Sequence, residues 1–309
     1  MNMASANWTM EVIPDLTGKT ILVTGGNSGL GFESVKAFAA KGARVIMACR
    51  SVSKGDAATK KIMDAQPAAD ISVMELDLMD LKSIRSFATT FEQRFSRLDV
   101  LLNNAGIMMV PYQLTEDNFE SQLGTNHLGH FALTGLLLDM LKKTPKSRVV
   151  NVSSIAHRRG VMDFDNLLYK DGEGYSPMKA YGRSKLSNLL FTFELQRFFE
   201  ENNMDCKALV AHPGVSDTNL FNHVIPNWLG KLLRPLASLM IQPAAMGALP
   251  QLRASVDPAA KGGEYYGPDG KRETKGYPVL VQSTKASTNK EDARKLWKMS
   301  EKLTSVIYN

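Results

Sequence analysis

Thr20-Ile-Leu-Val-Thr-Gly-Gly-Asn-Ser-Gly-Leu-Gly31 decides the fold. A short apolar, β-branched run stops at a cluster of glycines, and a helical pattern, Phe32 to Ala40, follows and ends at Lys41-Gly42. Strand, glycine turn and helix in that order build a seat for a pyrophosphate. The glycines let the backbone turn tightly and come close to the ligand, and the helix N-terminus faces its negative charge. Gly25, Gly29 and Gly31 set the spacing, and Asn27, Ser28 and Leu30 complete the loop.

Downstream the alternation repeats. Strand patterns at 43–48, 71–76, 98–102, 148–152 and 207–211 alternate with helical patterns at 53–65, 81–95, 116–142 and 177–202. The third helix is typical, with Ile84, Phe87, Ala88, Phe91 and Phe95 at helical spacing. Apolar strands alternating with helices predict the α/β class and a Rossmann-type, doubly wound parallel sheet covered on both faces. The expected layout is one domain over residues 17–309, after an N-terminal extension at 1–16. Residues 17–150 mainly hold the cofactor, 151–288 form the catalytic and substrate region, and 289–309 carry a terminal helix, Lys290 to Thr304. After Pro213 the regular alternation is lost. Asn222 to Met240 keeps helical apolar spacing around Pro226 and Pro235 and is expected to form a lid over the substrate crevice, and a polar loop covers Gly267 to Ser287.

The bulk numbers narrow the function. The 309 residues are 44% hydrophobic and 22% charged, an ordinary globular balance. The net charge of +6 is spread along the chain, with no concentrated basic patch for nucleic acid. Cys49 and Cys206 are far apart and follow strand-like runs, and the five histidines are scattered, so no metal site is expected. The first fourteen residues lack a secretory signal, and the longest apolar run, Phe131 to Leu141, is interrupted by Thr134, Gly135 and Asp139. A soluble, cytoplasmic protein without a transmembrane segment is expected.

The second strand ends Ala48-Cys49-Arg50, with no acid to hold a ribose hydroxyl. Arg50 suits a 2′-phosphate, with Ser51 and Lys54 beside it, so NADP(H) is expected over NAD(H). Tyr181 and Lys185 lie four apart in a helical stretch and leave the same face. A lysine ammonium beside a phenol lowers a pKa that is otherwise about 10 and gives a proton donor and acceptor near neutral pH.

Gly25-x-x-x-Gly29-x-Gly31, Asn103-Asn-Ala-Gly106, Asn126, Ser154, Tyr181-x-x-x-Lys185 and Pro213-Gly214, in this order, resemble the short-chain dehydrogenases/reductases over about residues 15 to 270. Val149-Val-Asn-Val-Ser-Ser-Ile-Ala-His157, Ser184-Lys-Leu-Ser-Asn-Leu-Leu-Phe-Thr192 and His212-Pro-Gly-Val215 are similar to the branch holding retinol dehydrogenases, WW-domain oxidoreductases and protochlorophyllide reductases. An insertion between Ser154 and Tyr181, Arg158 to Tyr175, is also a mark of that branch.

The resemblance implies a role for each residue. Tyr181 is the general acid/base, Lys185 lowers its pKa and holds the nicotinamide ribose, and Ser154 bonds the substrate oxygen, with Ser153 its close competitor. Asn126 positions a water that links Lys185 to solvent. Asn103, Asn104, Ala105 and Gly106 wall the adenine-ribose side. Asp77, beside Leu78, contacts the adenine or else caps the next helix. Pro213, Gly214, Val215 and Thr218 surround the carboxamide. The substrate is a hydrophobic carbonyl or alcohol. Its wall is expected from Met108, Met109, the insertion residues Val161, Met162, Phe164, Leu167, Leu168, Tyr169 and Tyr175, and residues 221–240. No membrane-anchor pattern, WW domain or cysteine-bearing substrate region is evident. An NADP(H)-binding sensor without turnover is the competing class, and the full set Asn126, Ser154, Tyr181 and Lys185 argues against it. Asn227 to Met240 could otherwise lie on a membrane surface. Helices 116–142 and 177–202 would carry a homodimer or homotetramer interface in such a family.

Overall fold

In the computed structural model, residues 7–216 and 242–309 are described. The sheet is built from β1 (Thr20–Thr24), β2 (Arg44–Cys49), β3 (Asp70–Glu75), β4 (Val100–Asn103), β5 (Ser147–Val152), β6 (Cys206–Ala211), β7 (Tyr265–Pro268) and β8 (Pro278–Leu280). Their order is β3-β2-β1-β4-β5-β6-β7-β8. All neighbours pair parallel except β7 and β8, which run antiparallel. Successive residues of β1 point to opposite faces. Leu22 joins one core with Ile46, Leu101, Phe91 and Phe131, and Ile21 and Val23 join the other with Val45, Met47, Leu102 and Leu209. Burial on both faces is what the unbroken apolar strands predicted. The chain changes direction between β1 and β4, and a crevice opens there at the carboxyl ends of the strands.

Helices α1 (Gly29–Ala40), α2 (Val52–Ala65) and α3 (Leu81–Arg94) follow the first three strands. Asp80 caps α3 through Lys82 N–H at 2.8 Å, so Asp77 is not its cap. The helix expected over 116–142 starts only at Ser121. Asn118 is left-handed at φ 62, Thr115 and Phe119 close a turn, and the Glu120 carboxylate accepts the N–H groups of Gln122 and Leu123. The helical run is then divided into α4 (Ser121–Leu123), a π turn (Gly124–Leu128), α5 (Gly129–Leu136) and α6 (Leu138–Lys143). Helix α7 (Pro177–Glu201) lies on the same side of the sheet. Beyond Pro213, a regular helix α8 (Ala244–Val256) and strands β7 and β8 replace the expected irregular chain. Pro250 inside α8 hid that helix from sequence patterning.

The terminal helix α9 (Lys290–Thr304) and the tail after it cover the outer faces of α5 and α7. Tyr308 is buried, donates its hydroxyl to Phe131 O at 2.7 Å and packs on Trp297 at 4.5 Å between centroids. Both helices are thus packed within the chain on these faces.

Asp99, just before β4, fastens the start of β1. It accepts Arg97, Lys19 and Thr20 N–H at 2.7–3.1 Å and is 6% exposed. Burial raises its pKa, but Arg97, Thr20 and Lys19 together hold it below the ordinary carboxylate range. A depressed folded pKa adds stability above the unfolded value of about 4, and that stability is lost as pH falls through the folded value. Asp99→Asn is expected to cost about 1–3 kcal/mol at pH 7 by urea unfolding, with the gap to wild type closing towards pH 3.

Candidate active site

A cavity of about 360 Å³ runs from the carboxyl end of β1 across β2 and β4. It is lined by Gly25, Asn27, Ser28, Gly29, Leu30 and Gly31, by Arg50, Asp77 and Leu78, and by Asn104, Ala105 and Gly106, of which Asn104 and Ala105 pack against the glycine loop. Gly25 and Gly29 are left-handed, at φ 67 and 53. Ser28 caps α1 without a side-chain hydrogen bond, so the first-turn N–H groups of that helix keep their capacity for an anion. No acid lies at the end of β2, and Arg50 is exposed on the cavity rim. The residues present therefore fit a dinucleotide with a pyrophosphate at the α1 N-terminus.

Some expected contacts lie elsewhere. Asn103 does not wall the cavity; its amide is buried and donates to Asn151 Oδ1 at 2.8 Å and Thr134 Oγ1 at 3.1 Å, joining β4 to β5 and α5. Lys54 is not on the cavity either. It sits in the first turn of α2, where Ser51 Oγ accepts its N–H. Asp77 lines the cavity, and its carboxylate turns back to Met79 N–H at 2.9 Å. Pro213, Gly214 and Val215 follow β6 and stand beside the turn after β5, outside the cavity lining. Thr218 and residues 221–240 lie outside the described residues.

Asn126, Ser154, Tyr181 and Lys185 come together beside Gly106, just outside the cavity lining. A Cβ on Gly106 would sit 2.9 Å from Asn126 Oδ1 and 3.5 Å from Lys185 Nζ, so a larger residue there would press on the Asn126 amide. Asn126 sits in the π turn, and its amide binds both backbone groups of Ile107 and donates to Ser184 Oγ at 2.9 Å. The serine pair divides its tasks. Ser153 is spent on Lys185 O at 2.8 Å, whereas Ser154 Oγ accepts Ala156 N–H and stands close enough to the Tyr181 phenol to pull its pKa down.

The phenol pKa departs from expectation. Lys185 Nζ donates to Val152 O at 3.0 Å and lies 5.7 Å from the Tyr181 ring centre. Burial then dominates both groups. It pushes Tyr181 up to about 12 against the pull of Ser154, and Lys185 down to about 8. The expected lowering of Tyr181 by Lys185 is not found; in this state the phenol holds its proton across the neutral range.

Two residues matter that sequence reasoning passed over. His130 spans Asn126 O (3.1 Å from Nδ1) and Thr24 Oγ1 (2.9 Å from Nε2), and burial lowers its pKa to about 4. A neutral ring with its proton on Nδ1 donates to the carbonyl and accepts from the hydroxyl. Thr24 Oγ1 in turn accepts the N–H groups of Asn104 and Ala105, so one imidazole joins the π turn to the cavity wall. Arg183, between Tyr181 and Lys185, is buried and donates to the carbonyls of Val161, Asn166 and Leu167. Its guanidinium also lies 4.0 Å over the Tyr169 ring. Nothing local marked it, since Lys179 and Lys185 carry charges in the same stretch of helix.

Arg183 also explains a correction. Among the described residues, most of the insertion's apolar side chains pack into a core, and none lines the glycine-loop cavity. Leu167 joins Leu123, Leu186, Leu190 and Leu296 in a core, with Met162, Phe164 and Leu168 packed on it. Tyr169 is buried under Arg183, and Tyr175 bonds Val110 O at 2.7 Å. Met108 does line the cavity, while Met109, left-handed at φ 55, gives its N–H to Gln122.

Cys49 and Cys206 are free and buried. Among the described residues no group of His, Cys, Asp and Glu could hold a metal, and no helix is long and apolar enough to cross a membrane.

Comparison with known proteins agrees with this geometry. The short chain dehydrogenase family profile matches residues 19–166. Retinol dehydrogenase 13 of Homo sapiens is 38% identical over 296 residues, covering 94% of this chain and 86% of that one. Retinol dehydrogenase 11 of Homo sapiens is 47% identical over 209 residues, 67% of this chain and 64% of that one. A solved structure of an uncharacterized protein from Mycobacterium Paratuberculosis superposes with a TM-score of 0.82 at 40% identity, over 98% of this chain and 99% of that one. The chain belongs to the short-chain dehydrogenase/reductase family of oxidoreductases, in its retinol dehydrogenase-like branch.

Proposed function

We propose that the protein is an NADP(H)-dependent carbonyl reductase or alcohol dehydrogenase acting on a hydrophobic aldehyde or ketone, with retinal as the first candidate. The observation that carries this reading is the meeting of Tyr181, Ser154, Lys185 and Asn126 beside Gly106, a residue that itself lines the glycine-loop cavity. The names of the relatives support a lipid-like substrate.

The nicotinamide supplies or accepts a hydride when bound. The rest falls to the chain. The first turn of α1 seats the pyrophosphate, and Arg50 meets a 2′-phosphate. Ser154 and Tyr181 aim two donors at one substrate oxygen, where negative charge develops on reduction. Tyr181 gives its proton to that oxygen; a phenol held protonated at neutral pH suits this direction. Lys185 and Asn126, behind the phenol, lead towards solvent for its reprotonation.

Arg50 decides the cofactor. Wild type is expected to bind NADPH more tightly than NADH by quenching of cofactor fluorescence. Arg50→Asp is expected to weaken NADPH by about 10–100-fold, since a hydrogen-bonded charge contributes roughly 1.5–3 kcal/mol. Equal affinity for the two cofactors in wild type would remove Arg50 from this role.

A further inference from the structure

We propose that Glu273 is a positioning residue, a latch that fastens the turn after β6 to the Ser154 turn and so sets the two sides of the nicotinamide end with one carboxylate. This rests on the functional reading above, joined to the family resemblance that sets Pro213, Gly214 and Val215 about the carboxamide and Ser154 at the substrate oxygen. Strands β5 and β6 are parallel neighbours, so the chain leaving each of them emerges at the same edge of the crevice.

Each carboxylate oxygen holds one side. Arg158 Nη2 donates to Glu273 Oε1 at 2.6 Å, and His212 Nε2 lies 3.0 Å from Oε2. Arg158 belongs to the 3₁₀ turn that Ser154 caps through Ala156 N–H, and the next-door His157 contacts Ser154 O at 2.6 Å. On the other side, His212 Nδ1 accepts Gly214 N–H at 3.2 Å. That contact puts the imidazole proton on Nε2, where it is donated to Glu273. Burial holds His212 below its ordinary pKa, so it takes part as a neutral ring with a fixed tautomer.

The loop that presents Glu273 is strained. Arg272 and Glu273 are consecutive left-handed residues at φ 57 and 56, and neither is glycine. Such a conformation persists only where its surroundings hold it. Here the same loop backs the second turn: Thr274 O accepts Val215 N–H at 2.7 Å, and a Cβ on Gly214 would meet that carbonyl at 2.3 Å. The His212 side chain is fully buried, and that of Glu273 is 21% exposed. A surface ion pair needs neither the strained loop nor the buried histidine.

Two measurements on Glu273→Ala test the latch. Amide exchange of the cofactor-free protein should speed up at Ala156–His157 and at Gly214–Val215 together, while β1 and β5 stay protected. NADPH affinity should fall on the order of tenfold, while 2′-phospho-ADP-ribose, which lacks the nicotinamide, binds as to wild type. Glu273→Gln, which keeps an acceptor but not the charge, should fall between. Faster exchange at only one turn or at neither overturns the latch, as does a parallel loss of NADPH and the fragment. A wild type that binds neither NADPH nor NADH would sink the functional reading alone; the exchange at the two turns still decides the latch.

Discussion

Tyr181→Phe is expected to lower kcat for carbonyl reduction by about 10²–10⁴-fold, the range for loss of a positioned proton donor. Cofactor affinity should stay within about twofold, because the phenol stands beside Ser154 and does not line the glycine-loop cavity. Stability should change little, since the ring keeps its packing and one hydrogen bond contributes about 1 kcal/mol. Single-turnover oxidation of bound NADPH with retinal or another accepted aldehyde measures this directly. Reduction that survives in the variant would show that the proton comes from another group. The pH profile adds a second check. A phenol pushed up to about 12 stays protonated through neutral pH, so the reductive limb should show no loss attributable to Tyr181 between pH 6 and pH 8.

Gly31→Ala should have the second large effect, and it acts on binding. A Cβ there would sit 2.2 Å from Gly25 O and 2.6 Å from Asn104 Nδ2, both far inside contact distance. One obstacle is backbone, so the loop itself must move. Overpacking of this kind costs about 1–3 kcal/mol. Relieved by displacing the phosphate seat, that is a loss of about 10–100-fold in NADPH affinity. Gly18→Ala is the control. Gly18 is left-handed at φ 77 with nothing within 4 Å of its Cβ. It should lose some stability and no cofactor affinity. Equal cofactor affinity in Gly31→Ala would mean that the loop relaxes without cost.

What sequence could reveal was governed by local pattern. Thr20 to Gly31 announced strand, turn and helix because each has its own composition, and the structure follows it. The parallel sheet followed from apolar runs with no polar face. The helix boundary at Ser121 was hidden, because Glu120 caps it with a side chain that usually reads as a helix former. Helix α8 was hidden by Pro250, and β7 and β8 by their Gly- and Pro-rich sequence, Tyr-Tyr-Gly-Pro and Pro-Val-Leu. In the site, Tyr181 and Lys185 stand four apart and could be paired by eye. His130 with Thr24, and Glu273 with Arg158 and His212, are separated by 106, 115 and 61 positions. No spacing rule connects such partners; only the folded sheet brings them together. The upward shift of the Tyr181 phenol was not legible either, since it comes from burial in the folded site and not from the spacing to Lys185.

The buried Tyr308 has a consequence for synthesis. Its hydroxyl meets Phe131 across 177 positions, and its ring closes an aromatic group with Trp297, Phe191 and Phe198. A nascent chain cannot complete that group until residue 308 has left the ribosome, although the glycine loop, Asn126, Tyr181 and Lys185 emerge long before. Until then the outer faces of α5 and α7 stay open to other chains, and the aggregation hazard of the protein is concentrated in that interval. Once the tail is seated, a second copy can reach those faces only by displacing it.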